Sequence, residues 1–226
     1  MDKKALIDVI IEKEWEMFHS VNGEDRTDCQ NDYPVFVIMR RAQYEAWSEA
    51  ALTSYLADLD AAASEGRNLA REKYIRMMES TDPPAYDKFC GELPALSEEQ
   101  SALCAQIWEK MLAQTERMRK DYPVLALGGR ALRAADETDG WPSVETYQTG
   151  ELKTYSAQTL RALLAEIERL EAEGKDFVFL VQENTVRGQG FKTMEEAELA
   201  MAEQIMRELN IEISGGCCRG CGPAEE

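Results

Sequence analysis

Apolar residues recur at every third or fourth position along most of this chain, the spacing of helices that bury one face. The first stripe, Ile7, Ile10, Ile11, Trp15 and Phe18, predicts a helix over roughly 3–20. A polar stretch from Asn22 to Asp32 follows. Asp32 suits an N-cap, with Pro34 in the first turn. Phe36, Met39, Gln43 and Trp47 share one face of the next helical stretch, which continues, with room for a break, to Glu65 and stops at Gly66. Asn68 caps a third helix reaching Met78, and Pro83-Pro84 ends that region. A short turn or helix fits 86–90. Ser97-Glu98-Glu99-Gln100 reads as a capping box opening a helix to about Lys120, with Leu103, Ile107, Trp108, Met111 and Leu112 inward and Tyr122-Pro123 closing it.

The segment from Gly128 to Trp141 holds three glycines and no clear period, so it reads as a long connection and the one candidate domain boundary. A long helix is predicted from Ser143 to Glu173, ended by Gly174. Phe177-Val178-Phe179-Leu180-Val181 fits a buried strand as well as a helix. The last predicted helix spans 193–210, and a glycine-rich tail follows from Ser214. An internal echo pairs Ser54-Tyr55 and Glu65-Gly66-Arg67-Asn68-Leu69 with Thr154-Tyr155 and Glu173-Gly174-Lys175-Asp176-Phe177, the second copy longer by about two helical turns. On that echo each half is a helix hairpin and 176–186 is helical. The architecture expected is an all-α bundle of about seven helices, one domain over 1–213 with a sub-boundary near 128–142, and a flexible tail over 214–226.

Composition narrows the function classes. Lys and Arg total 25 against 43 Asp and Glu, a net charge of −18. Such a surface repels phosphate backbones and anionic lipid, so neither nucleic acid nor membrane is an expected partner. Hydrophobic residues make up 44% of the chain, too many for a disordered acidic protein. No apolar run approaches the roughly 20 residues of a membrane span. Met1-Asp2-Lys3-Lys4 is not followed by an apolar core and cleavage site, so a signal peptide is not expected and a cytoplasmic location is.

Several unusual strings occur in fixed order: Glu14-Trp15 with Phe18, Cys29-Gln30, Met39-Arg40 with Gln43-Tyr44 and Trp47, Gly66-Arg67-Asn68-Leu69, and Glu72-Lys73-Tyr74 with Met77-Met78. The second half adds Glu145-Thr146-Tyr147, Gly150-Glu151-Leu152-Lys153-Thr154-Tyr155-Ser156 and Glu183-Asn184-Thr185. Over roughly residues 8–200 the chain resembles a bacterial family, common in anaerobes and some actinobacteria, catalogued only as a domain of unknown function. Ala42 stands where that pattern leads one to expect Ser. The resemblance implies a helical bacterial protein and supplies no catalytic residues.

Four charges fall on apolar faces. Glu14 lies inside the first stripe, and Arg40, with Gln43, lies among Phe36, Met39 and Trp47. Lys73 stands four residues from Leu69 and from Met77; Glu151 stands four from Tyr147 and from Tyr155. A lone buried charge is expensive, so such groups must pair or face a polar pocket. Two negative and two positive charges could neutralise one another inside a bundle, where ligand sites are often built. On the functional reading Arg40 and Gln43 bind a small molecule, Arg40 holding a carboxylate or phosphate through its planar fork. Glu14 or Glu151 is then an acid or base with a pKa raised by burial, and Lys73 a base or Schiff-base nucleophile. On the plainer reading the four are interhelix ion pairs or snorkelling side chains.

The single histidine, His19, follows Glu16 by three residues, but a di-iron carboxylate centre takes Glu-x-x-His from two helices, and one histidine at a helix end argues against that centre and against His-based nucleophilic catalysis. Gly188-Gln189-Gly190 is too short for a dinucleotide fingerprint. Six cysteines, three of them in the last ten residues, suit reduced thiols better than a disulfide scaffold. Cys104 and Cys90 read as small core residues and Cys29 as a loop cysteine. Cys217, Cys218 and Cys221 put three thiols on a glycine backbone beside Arg219, a spacing suited to a thiolate-bound soft ion such as Cu(I), Hg(II) or As(III), or to disulfide exchange. Three functions therefore stand: a small-molecule binder or enzyme with a charged pocket, a soft-metal or thiol-redox module acting through the tail, and an acidic helical adaptor.

Overall fold

The computed structural model of the chain describes residues 1–21, 32–127, 129–138 and 141–209. They form eleven α-helices: α1 (Lys3–His19), α2 (Tyr33–Glu45), α3 (Glu49–Ser64), α4 (Leu69–Thr81), α5 (Pro83–Phe89), α6 (Glu98–Asp121), α7 (Pro123–Leu127), α8 (Val144–Leu152), α9 (Ala157–Ala172), α10 (Phe177–Gly188) and α11 (Met194–Glu208). No strand occurs among the described residues, only one isolated bridge between Thr138 and Trp141. No helix among them is long and apolar enough to cross a membrane.

The boundaries follow from caps. Asp32, Ser48, Asn68, Ser97 and Ser156 each accept a hydrogen bond from a backbone N–H three residues on, relieving donors that have no partner within the helix. Ser97 and Gln100 make the full reciprocal capping box. The count of about seven helices is an undercount for four reasons. The stretch after Asp32 breaks at Ala46-Trp47-Ser48, and short α5 and α7 form behind Asp82 and Tyr122. The helix predicted over 143–173 is two helices. Thr154 N–H donates to Glu151 O and Tyr155 N–H to Leu152 O in a tight last turn, and Ser156 then starts α9 with its own N–H held by Asp58 Oδ2 at 3.0 Å. Residues 177–188 are helical, with Asp176 as the cap.

The two halves repeat one pattern. Both α3 and α9 have 16 residues, each follows a short turn of two or three residues and a Ser cap, and each ends at a positive-φ glycine, Gly66 or Gly174. Arg67 N–H returns to Ala62 O as Lys175 N–H returns to Leu170 O. Their buried faces match position for position: Ala51, Leu52, Tyr55, Leu59 and Ala62 against Thr159, Leu160, Leu163, Ile167 and Leu170. The register thus pairs Trp47-Ser48 with Tyr155-Ser156. It does not pair Tyr55 with Tyr155, and the second copy carries no insertion. The packing repeats too. Helix α1 lies on α2, α3 and α4, and α6 lies on α8, α9 and α10; α3 meets α9, while α2 crosses to α10 and α4 to α8. These exchanges describe an approximate two-fold axis through the α3–α9 contact.

One apolar core runs through both halves, from Ile10 and Leu52 to Ile107, Leu160 and Ile167. A smaller cluster of Val186, Met194 and Ala197 seats α11. The α4–α8 crossing is close because α8 presents Gly150 there. A methyl group at that position would stand 2.9 Å from Met77 Cγ and 3.4 Å from Lys73 O. Gly150→Ala should therefore lower stability by about 1–2 kcal/mol despite alanine's better helix propensity, read as a lower urea midpoint. Gly91→Ala, where the added methyl meets nothing within 4 Å, should stay within about 0.5 kcal/mol of the parent.

Candidate functional site

Helix α1 turns Leu6, Ile7, Ile10 and Ile11 into the core, and the same stripe carries Glu14 inward one turn later. Its Oε1 accepts from the Tyr55 hydroxyl at 2.7 Å and forms an ion pair with Arg40 Nη2 at 3.0 Å. Arg40 extends from α2 between the rings of Phe36 and Tyr44, each centroid 5.9 Å from its guanidinium carbon. Its other terminal nitrogen, Nη1, donates to Glu151 Oε1 at 2.8 Å and to Gln43 Oε1 at 2.9 Å. Glu151 Oε1 also accepts from the Tyr155 hydroxyl at 2.8 Å and from Gln43 Nε2 at 3.1 Å. Its second oxygen takes Lys73 Nζ at 2.5 Å. Lys73 in turn sits 3.3 Å from the centroid of the Tyr147 ring.

All four charges read from the sequence thus meet in one chain, Glu14–Arg40–Glu151–Lys73, drawn from α1, α2, α8 and α4. Glu14, Glu151 and Lys73 side chains are 6–7% exposed; Arg40, at 18%, is the member that reaches the surface. The network straddles the approximate two-fold axis. Gln43 and Glu151 occupy equivalent positions and bond to each other, and equivalent Trp47 and Tyr155 touch at 5.7 Å between ring centroids. The counterparts of Arg40 and Lys73 in the other half are uncharged Gln148 and Val181, so both cations come from the first half.

The surroundings treat the two carboxyls oppositely. Burial pushes the Glu14 carboxyl above its ordinary value; Arg40 only partly offsets this, and Glu151 adds to it. Burial acts on Glu151 the same way, but Arg40 and Lys73 together outweigh it and hold this carboxyl well below the usual range. Lys73 also lowers the phenol of Tyr147, whereas burial raises those of Tyr44, Tyr55 and Tyr155. Three buried polar atoms meet no hydrogen-bond partner of good geometry: Glu14 Oε2, the Tyr44 hydroxyl and Trp47 Nε1. Arg130 stacks outside Tyr147, its guanidinium carbon 5.3 Å from that ring and 5.4 Å from exposed Trp141.

The other sequence candidates lie apart. His19 packs against Trp15 at the end of α1. Cys104 is buried in α6, its thiol pushed up to about 11 by burial, and Cys90 is half-buried at a helix end. Cys29, Cys217, Cys218 and Cys221 lie outside the described residues. Among the described residues no group of three or more His, Cys, Asp or Glu is placed to hold a metal ion. The sequence reading missed the tyrosines. Tyr55 and Tyr155 complete the coordination of the two carboxylates, and their signal was a phenol in the middle of an otherwise aliphatic stripe. Two grooves open elsewhere, one beside Arg76 and Trp108 and one beside Lys13 and Arg67, and no member of the network lines either.

Fold and site define a helical bundle built around a buried ion-pair chain. The model of one family, described as a protein of unknown function (DUF4125), matches residues 4–199, and the chain belongs to that family. No curated protein matches the chain, and no solved structure does.

Two predictions follow from the network. Arg40→Met leaves Glu14 with no cation and Glu151 with Lys73 alone, and should cost about 3–5 kcal/mol in chemical unfolding. The second concerns pH. A raised Glu14 pKa contributes stability that is present below the unfolded-chain value and lost as pH rises through the folded one; the lowered Glu151 pKa acts in the opposite sense, its contribution lost as pH falls. Glu14→Gln removes only the first dependence. The stability of that variant relative to the parent should therefore improve as pH rises from about 5 to 8. A flat or falling difference would contradict the assignment.

Proposed function

We propose that this protein binds a small anionic molecule, a carboxylate or phosphate, at the Arg40 end of the buried network, with Glu14 exchanging a proton as it does so. The observation that carries this reading is the pair of carboxyls bridged by one guanidinium and pushed in opposite directions. Such a split is how a protein interior separates a proton-exchanging carboxyl from a permanently charged one. With both carboxyls ionised the four charges cancel. Once Glu14 takes a proton, the network carries one net positive charge, and Arg130 stacked above Tyr147 adds another near the surface. An incoming anion compensates that charge, and Arg40, the partly exposed member, is the group it meets first.

In this reading Glu151 is the fixed anion that orients Arg40 and Lys73. Lys73 serves as its counter-ion, since its ammonium is committed to Glu151 and the Tyr147 ring. Gln43 aligns Arg40 with Glu151 by bonding to both. Glu14, with one oxygen unpartnered, is the acid or base.

The test is calorimetric titration of the full chain with inorganic phosphate and with succinate, in two buffers of different ionisation enthalpy. Binding with net proton uptake is expected, with a matching rise in melting temperature. Glu14→Gln should keep binding and lose the proton uptake. Absence of binding by both probes, or binding whose proton uptake survives in Glu14→Gln, would overturn the proposal.

A further inference from the structure

A second site lies on the opposite side of α8. A groove of about 430 Å³ runs between α4, α6 and α8, a volume typical of pockets that take drug-sized molecules. Its floor is largely apolar, formed by Trp108, Cys104, Ala105 and Leu96. Its polar members are nearly all satisfied within the protein. Glu145 accepts from the Trp108 indole N–H at 3.2 Å and from Ala134 N–H at 2.9 Å. Ser80 and Thr146 share a hydrogen bond at 3.2 Å, and Thr149 donates to Glu145 O at 2.7 Å. Lys153 faces Glu79 across 3.6 Å at the rim.

Arg76 is the exception. Its Nη2 donates to the carbonyl of Pro94 at 3.0 Å, and its Nε is buried with no hydrogen-bond partner. Glu72 and Glu79 act on it through their charge, but Glu72 is held by Arg67 and Glu79 faces Lys153, so this half-buried guanidinium keeps a donor for an incoming anion. Burial pulls its pKa below the ordinary value, an effect that a bound anion would reverse.

We propose that this groove binds a small monocarboxylic acid with an apolar body, the carboxylate on Arg76 and the body laid over Trp108, Cys104, Ala105 and Leu96. The apolar floor excludes simple inorganic anions as good ligands, because they would bury no surface against it. The Arg76 guanidinium, with Lys153 at the rim, favours a carboxylate over an amine, since Glu79 and Glu145 in the lining already have partners. The site is separate from the Glu14–Arg40 network and stands or falls without it.

The probe is 4-phenylbutyrate, titrated into the full chain and followed through the Trp108 indole N–H resonance, assigned with Trp108→Phe. A saturable shift of that signal is expected, with no comparable effect from 4-phenylbutylamine or acetate. Arg76→Met keeps the apolar stem and should weaken binding roughly tenfold, the usual effect of losing one charge-assisted contact. Ala105→Phe fills the groove from an exposed position on α6, leaves Arg76 in place and should abolish binding. Glu14→Gln should leave it unchanged. Equal binding by the amine, undiminished binding in either groove variant, or a Trp108 signal that 4-phenylbutyrate does not move would overturn the proposal.

Discussion

Arg40 is the tie on which the interior depends. One planar guanidinium reaches two carboxylates that arrive on different helices, Glu14 from α1 and Glu151 from α8. Removing two carboxylates from water is costly, and attraction repays that cost only when geometry is good and the remaining lone pairs are filled. Here Tyr55, Tyr155, Gln43 and Lys73 fill most of them. The arrangement also fixes position. Apolar side chains tolerate sliding, but a fork that must meet two acids at once constrains the offset of α1, α2 and α8.

The close α4–α8 crossing serves the same geometry. Gly150 lets the two backbones approach, and the residue after it, Glu151, then meets Lys73 across the contact. Helix α8 consequently has two working faces. One carries Glu151 to the network, and the other carries Glu145, Thr146, Thr149 and Lys153 to the groove beside Arg76. A displacement of this nine-residue helix would be felt on both sides.

Much of this was legible in the residues. Charges embedded in apolar stripes at helical spacing marked all four members of the network, because α-helical periodicity is steady enough to place a side chain to within one position. Helix ends marked by Asp32, Gly66, Asn68 and Ser97 were equally plain. The break at Ser156 was hidden, since the apolar spacing of Leu152, Tyr155 and Leu160 continues through the turn. The internal repeat was visible but misaligned, because the identical Tyr55 and Tyr155 attracted a pairing that the caps and glycines do not share. Hydroxyl partners such as Tyr55 were missed because a tyrosine in a stripe looks like any other large apolar residue until its neighbours are known. Which cation faces which acid depends on how helices cross, and a single sequence does not contain that.

The mutual crossing of the halves has a consequence for origin and assembly. Helix α2 rests on α10 and α4 on α8, so neither half closes its own core; each lends a helix face to the other. An isolated half would leave both faces bare, and a second copy of the same half would cover them by the same two contacts. That is the geometry of an isologous homodimer written into one polypeptide. In one polypeptide the two halves need not be identical, which permits cations at positions 40 and 73 where the equivalent positions 148 and 181 are neutral, an asymmetry that a symmetric pair of identical subunits could not hold.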